Sequence, residues 1–273
     1  MKMNEHQIQD LESLISAIRL ANEKFKGQVW WRGQRDYSWS LLPSVFRTQS
    51  GYDERAGILR FQQRAFSRRP EVPSIEDRSA WLFLMQHYRL PTRLMDWTES
   101  PLVASYFAAE IYQCHLNHPK VIEDPDGALF ALSPYGLNYA QVRKHGLLMP
   151  ESPEAISCIA PAFDEHAIEP KHIIAIRPSE VDIRLMVQLS VFTLNGYNVA
   201  IDKLPNSEDF ILKFKVPSEA KETIQSDLKQ IGIRLSNIFP DLEHLAQEIS
   251  NLAFKSRISS DDPLPGRGVE PST

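Results

Sequence analysis

Cysteine is nearly absent: Cys114 and Cys158 are the two in 273 residues. They do not form a CxxC pair, which excludes a disulfide-stapled scaffold and fits a reducing compartment. No run of about 18 apolar residues occurs, so no membrane span is expected. The opening MKMNEHQIQDLESLISAIRL lacks the apolar stretch and small-residue cleavage site of a secretory signal. We therefore expect a cytoplasmic protein with no membrane partner. Positive charge is not in excess either: 30 Lys and Arg stand against 35 Asp and Glu, a formal −5. That excludes a wholly basic nucleic-acid binder and leaves room for a local basic groove. GxGxxG, the Walker A loop, the GxSxG elbow and HExxH are all missing. Cys114, His115 and His118 lie close in sequence, but nothing in their spacing supports a metal site, and none is expected.

What is present is the composition of a folded protein, 42% hydrophobic and 24% charged. Ile8, Leu11, Leu14, Ile15 and Ile18 recur at helical spacing and predict an amphipathic first helix ending near Lys26-Gly27. Val29, Trp30 and Trp31 read as a short strand halted by Gly33, and Trp39 to Phe46 as an extended or irregular apolar run. Arg55 to Arg69 is helical by pattern, its arginines forming a solvated face. Ser79 is the expected cap of the helix AWLFLMQHYR, which Pro91 ends. TRLMDWT follows as a loop or strand. Ser100, with Pro101 behind it, opens a second apolar helix, PLVASYFAAEIYQCHL. GALFALSP, HIIAIRP and DFILKFKVP read as strands. Ser218 starts a further helix, and Asp241 to Lys255 makes the last. The order lacks the βαβα alternation of a doubly wound sheet. We expect an α+β fold: a small mixed, mostly antiparallel sheet flanked by helices in a single domain. Residues 1–24 are its N-terminal helix, 25–255 the body and 256–273 a disordered tail.

Polar chemistry is crowded into the joint between the two apolar helices. Thr92, Arg93, Asp96, Trp97 and Thr98 sit where buried polar groups need partners. Two readings stand: a local network with Asp96 pairing Arg93, or a pocket whose arginine forks hold an anion. His87, on the preceding helix, is a candidate base, although a lone helix histidine is more often a structural one. WWRGQ raises the same choice, since Arg32 ends a strand and Gly33 admits a ligand or another backbone. In RLMVQLSVFT, alternation puts Gln188, Ser190 and Phe192 on one face, an edge or a pocket wall. We expect Arg32, Thr92, Arg93, Asp96 and Gln188 to share one concavity.

WWRGQ resembles the aromatic-Arg-Gly motif of the FRG domain family. MQHYRLPTRLMDWTESPLVASYFA is similar to that family's central block, and RLMVQLSVFT and GIRLSNIFPDLEHLAQEI to its later ones, so the resemblance spans roughly residues 25–255. Trp31 stands where Phe or Tyr is usual, and Arg89 and Ser190 where glycine often is. The family is widespread in bacteria and phages and has no generally assigned activity. Its resemblance implies a polar cleft for a nucleotide or other phosphorylated ligand, with Arg32, Gln34, Thr92, Arg93 and Thr98 binding and Asp96, Gln188 and His87 as candidate catalytic groups. Nucleic acid is a candidate partner, NAD a candidate cofactor, and the oligomeric state is left open. By motif order, Arg32, Thr92 or Thr98, and Gln188 are also similar to the anchoring, hydroxyl and late acidic positions of mono-ADP-ribosyltransferases, which implies an effector or toxin in phage defence. A glutamine cannot supply the negative charge of that late position. A non-catalytic ligand-sensing or interaction module is the alternative.

Overall fold

The computed structural model describes residues 7–47, 51–69, 71–111, 124–177, 188–239, 241–246 and 248–250. Its six strands are β1 (Trp30–Gln34), β2 (Leu94–Thr98), β3 (Gly127–Leu132), β4 (Ile173–Ile176), β5 (Ser190–Asn195) and β6 (Ile211–Val216). They form one sheet in the order β4-β5-β2-β1-β3-β6. Every ladder between these strands is antiparallel, and parallel pairing is confined to the isolated bridges Gln7–Lys215 and Leu148–Ile176. The described helices include α1 (Leu11–Phe25), α2 (Ser44–Arg47), α3 (Glu54–Ala65), α4 (Arg78–His87), α5 (Pro101–Ala108), α6 (Pro134–Val142), α7 (Pro153–Ile159), α8 (Lys221–Gln230) and α9 (Leu235–Ile238), and residues 242–246 and 248–250 are helical as well. The fold is α+β, as its sequence pattern predicts. The expected helical residues beyond 111, the end of the last helix and the 256–273 tail lie outside the described residues.

Local chemistry explains the helix starts. Ser100 accepts a hydrogen bond from the Val103 amide, with Pro101 in the first turn. The same Ser-Pro device opens α6 at Ser133 and α7 at Ser152, two helices that the apolar patterning did not reveal. At α4 the cap is Asp77 rather than Ser79: its carboxylate accepts from the Ala80 amide and also takes the Ser79 hydroxyl. A charged acceptor two residues upstream starts the helix earlier than the serine would. α4 closes with Leu90 N–H reaching back to the Met85 carbonyl and Arg89 in the left-handed region at φ 61°. That turn favours glycine, and an arginine there costs about 1–2 kcal/mol.

Trp30 and Trp31 are adjacent in sequence and both buried, because β1 is covered on both faces. Trp31 packs with Leu14, Ala17 and Ala21 of α1, Ala104 and Ala108 of α5, and Ile224 of α8. Trp30 packs on the opposite face with Leu41, Trp97, Phe130, Leu137 and Phe210. A third cluster joins Leu82 of α4 and Cys158 of α7 to Leu94, Ile174, Phe192 and Leu194. Alternation places it on the Trp31 face of the sheet, beyond β2.

Between the first and third clusters the sheet opens. β1 matches β3 at five residue pairs and β2 matches β5 at five, but β1 and β2, the central strands, meet only at Trp31–Thr98. Gly33 does not halt β1, which runs on through Gln34. Its role is close approach: a Cβ there would lie 1.9 Å from the Ala104 carbonyl oxygen and 2.5 Å from the Ala108 nitrogen. α5 therefore rests directly on β1 backbone. An alanine in a strand interior ordinarily gains about 0.5–1 kcal/mol over glycine. Here Gly33→Ala is expected to lower the urea unfolding free energy by at least about 1–3 kcal/mol, the cost of overpacking; a gain in stability would contradict this packing.

Candidate functional site

The opening between β1 and β2 leads into a cavity of about 360 Å³, within the ~300–1,000 Å³ range of small-molecule sites. Leu94, Asp96, Ser190 and Phe192 form its floor, Val103 and Phe107 of α5 one wall, and Phe83, Gln86 and His87 of α4 the other. Arg32, Arg47 and Arg89 border it. Gln188, Ser190 and Phe192 all face it, as strand alternation implies, although Gln188 stands outside β5 beyond Leu189, whose φ is 48°.

Arg32 lies where β1 has lost its β2 neighbour. Its Nη1 donates to the Asp96 carbonyl oxygen at 2.5 Å, bridging the split strands. Its Nε is buried and has no hydrogen-bond partner among the described residues. Burial pushes the guanidinium down to about 10, opposed by Asp96 and reinforced by the like charge of Arg47. It remains a cation at neutral pH. Arg47, at the end of α2, is also held below its usual value by burial, with Asp96 opposing. Among the described residues, three arginines thus border a cavity in which Asp96 is the carboxylate.

Asp96 is the exposed residue of an otherwise buried strand. Its Oδ2 accepts from Gln86 Nε2 at 2.6 Å, and Gln86 Oε1 accepts from the Thr92 hydroxyl at 2.5 Å. A carboxylate can only accept, so the amide must present its NH₂ to Asp96 and its oxygen to Thr92. Thr92 is fully buried and acts behind the site, steering Gln86. Thr98 gives its hydroxyl proton to the Gln188 carbonyl at 2.6 Å and accepts from the Ser100 amide, tying β2, the start of α5 and the β5 approach together. The Gln188 side chain donates to the Ile238 carbonyl at 3.0 Å, holding the end of α9 and Phe239 against the cavity.

Arg32, His87, Asp96, Thr98 and Gln188 therefore reach one cavity, and Thr92, Arg93 and Gln34 do not line it. Arg93 turns away into an ion pair with Glu54. Nε and Nη2 donate to Glu54 Oε2 at 3.0 and 2.8 Å, the Arg93 amide donates to Oε1, and Nη1 donates to the Cys158 carbonyl at 2.8 Å. Both charges are buried, so the pair joins the start of α3, the entrance to β2 and the end of α7. Gln34 is buried at the end of β1. Arg47 and Gln86 were not anticipated: Arg47 ends a single helical turn inside a run that reads as irregular, and Gln86 is one polar residue on a core helix. Arg89 was legible only as a departure from glycine.

Among the described residues no group of three or more His, Cys, Asp or Glu is placed to hold a metal ion, and Cys114, His115 and His118 lie outside them. No described helix is long and apolar enough to cross a membrane. The class is thus an open antiparallel α+β sheet whose central strands part around a cationic cavity. Residues 27–115 match the family model of the FRG domain, so the chain carries that domain over this span. The matched span contains WWRGQ and the central block. RLMVQLSVFT and GIRLSNIFPDLEHLAQEI lie beyond it, yet they supply Gln188, Ser190, Phe192 and Phe239 to the same cavity. No curated protein and no solved structure matches the chain significantly.

Removing the charge of Glu54 should expose what Arg93 does. Glu54→Gln is expected to destabilise the protein by about 3–5 kcal/mol, since it strands a buried guanidinium. Equilibrium urea unfolding measures this, and an unmoved midpoint would return Arg93 to the list of ligand-binding candidates.

Proposed function

We propose that the cavity binds a phosphate-bearing ligand, and that a nucleotide is the class that suits it best. The observation that carries this reading is Arg32: a guanidinium whose buried Nε is unpartnered, beside a second arginine. Two like charges that share one cavity rim repel, and an anion that enters between them relieves that repulsion. Arginine forks match phosphate oxygens in a way that a point charge does not. Trp31, Phe83, Phe107 and Phe192 line the same space and offer apolar surface to a base. Asp96, aimed by Gln86, is suited to accept a hydroxyl proton such as that of a ribose.

Catalysis is the second reading, favoured by the exposed Asp96 carboxylate. An ADP-ribosyltransferase-like reaction on NAD would have to run through Asp96, because Gln188 carries no charge and its amide is committed to Ile238. A role in phage defence belongs to this reading and rests on the family's distribution.

Calorimetric titration of ADP, ATP, NAD and inorganic phosphate tests both. Arg32→Lys keeps the charge and loses the fork, so affinity should fall by about 1–3 kcal/mol, alongside a fall in Tm from the weakened bond to the Asp96 carbonyl. Affinity should also weaken with added salt. A large drop in Tm with unchanged affinity would overturn the binding role. Asp96→Asn separates the two readings: loss of nicotinamide release with NAD binding retained marks a catalyst.

A further inference from the structure

We propose that the exposed face of α3, with Phe66 and Tyr88, binds a single-stranded nucleic acid that continues into the cavity at His87 and Arg89. The cavity's ligand is then a nucleotide of that strand, and to this extent the inference rests on the phosphate-binding reading above.

Charge is the first observation. Residues 47–89 hold eight arginines and no lysine against five carboxylates, in a chain whose formal charge is −5. Four of the five carboxylates are already occupied. Asp53 and Asp77 cap α3 and α4, Glu54 pairs with Arg93, and Glu76 accepts from Ser74. By contrast Arg60, Arg64 and Arg69 form no ion pair among the described residues, and Arg68 donates only to the Arg64 carbonyl and the Ser67 hydroxyl there. Arg60 and Arg64 are exposed one turn apart, and helical spacing sets Leu59, Gln63 and Phe66 on the arc beside them. Stability gives no reason for such a face, since like charges at i and i+4 repel.

The rings are the second. Phe66 is 53% exposed and Tyr88 is 52% exposed, yet neither is loose. They are the two ends of one row of ring contacts: Phe66 to Trp81 at 5.9 Å, Trp81 to Phe61 at 6.3 Å and Phe61 to Tyr88 at 6.1 Å. Tyr88 also meets His87 at 4.9 Å, and His87 and Arg89 on either side of it line the cavity. Trp81 thus backs Phe66 directly and Tyr88 through Phe61, and Tyr88 stands between two residues that line the cavity. Backbone phosphates suit the arginines, and unstacked bases suit rings that are held rigid from beneath. A duplex offers the same phosphates but keeps its bases stacked inside, and an acidic protein surface would leave the rings unused.

Fluorescence anisotropy of the full chain with a labelled single-stranded oligonucleotide tests this, with the matching duplex and heparin as competitors. The single strand should bind most tightly, with a log–log salt slope steeper than about −2, at about −0.7 per phosphate contacted. Arg60→Ala with Arg64→Ala should weaken it about tenfold or more. Tyr88→Leu should cost about fivefold or more, the lower end of the range for losing one base–aromatic stack, and Tyr88→Trp should restore it. Circular dichroism of each variant confirms the fold. Binding that is absent, or that ignores these substitutions, would overturn the proposal; so would equal competition by duplex and heparin, which marks a generic polyanion or acidic-protein surface. Calorimetry with ADP on the same Arg60 and Arg64 variant keeps the two readings apart, because cavity binding should survive there whether or not the strand binds.

Discussion

A hydrogen bond from Arg32 Nη1 to the Asp96 carbonyl crosses the one place in the sheet where neighbouring strands fail to pair. A split between central strands leaves backbone acceptors without strand partners. A long side chain ending in several donors can satisfy such a carbonyl and still have donors over. Arg32 does so, and the unpartnered Nε is what remains. The bond that closes the sheet and the unpartnered donor at the cavity therefore belong to the same residue. α5 can cover the opening because Gly33 lets it lie on β1 backbone, and Thr98 fixes its start from β2.

The polar residues of the helix–strand joint divide by depth. Arg93 and Thr92 point inward: one neutralises Glu54, and the other orients Gln86. Asp96 and Thr98 belong to the cavity side of β2. Asp96 does not pair with Arg93, as the local-network reading expects: Arg93 pairs with Glu54 at the base of the joint, while Asp96 and Thr98 line a cavity at its top. Base and top are coupled through Gln86, whose single amide is held by Thr92 at one end and holds Asp96 at the other.

Much of the architecture was legible because it is written in short-range signals. Ser100-Pro101 marked α5, and runs bounded by Gly, Pro and Asp marked β3, β4 and β6. Ser133-Pro134 and Ser152-Pro153 carried the same mark for α6 and α7, but the weak amphipathic pattern around them drew no attention. The site was less legible, because its geometry depends on pairing across long stretches of chain. Periodicity says that Arg32 ends an aromatic strand, not that β1 parts from β2 there. Arg93 looks as suited to an anion as Arg32 does, and only the distant Glu54 decides between them. Arg89 shows a residue type at odds with its backbone conformation, a conflict that tends to accompany function.

We propose that the Arg32 guanidinium is both brace and anchor. The most direct measurement is the NMR signal of its Nε–H, assigned by comparison with Arg32→Lys and followed during titration with ADP. The account predicts a shift of this resonance that saturates together with binding, as the unpartnered donor meets a phosphate oxygen. Binding seen at other resonances while the Arg32 Nε–H stays in place would contradict it.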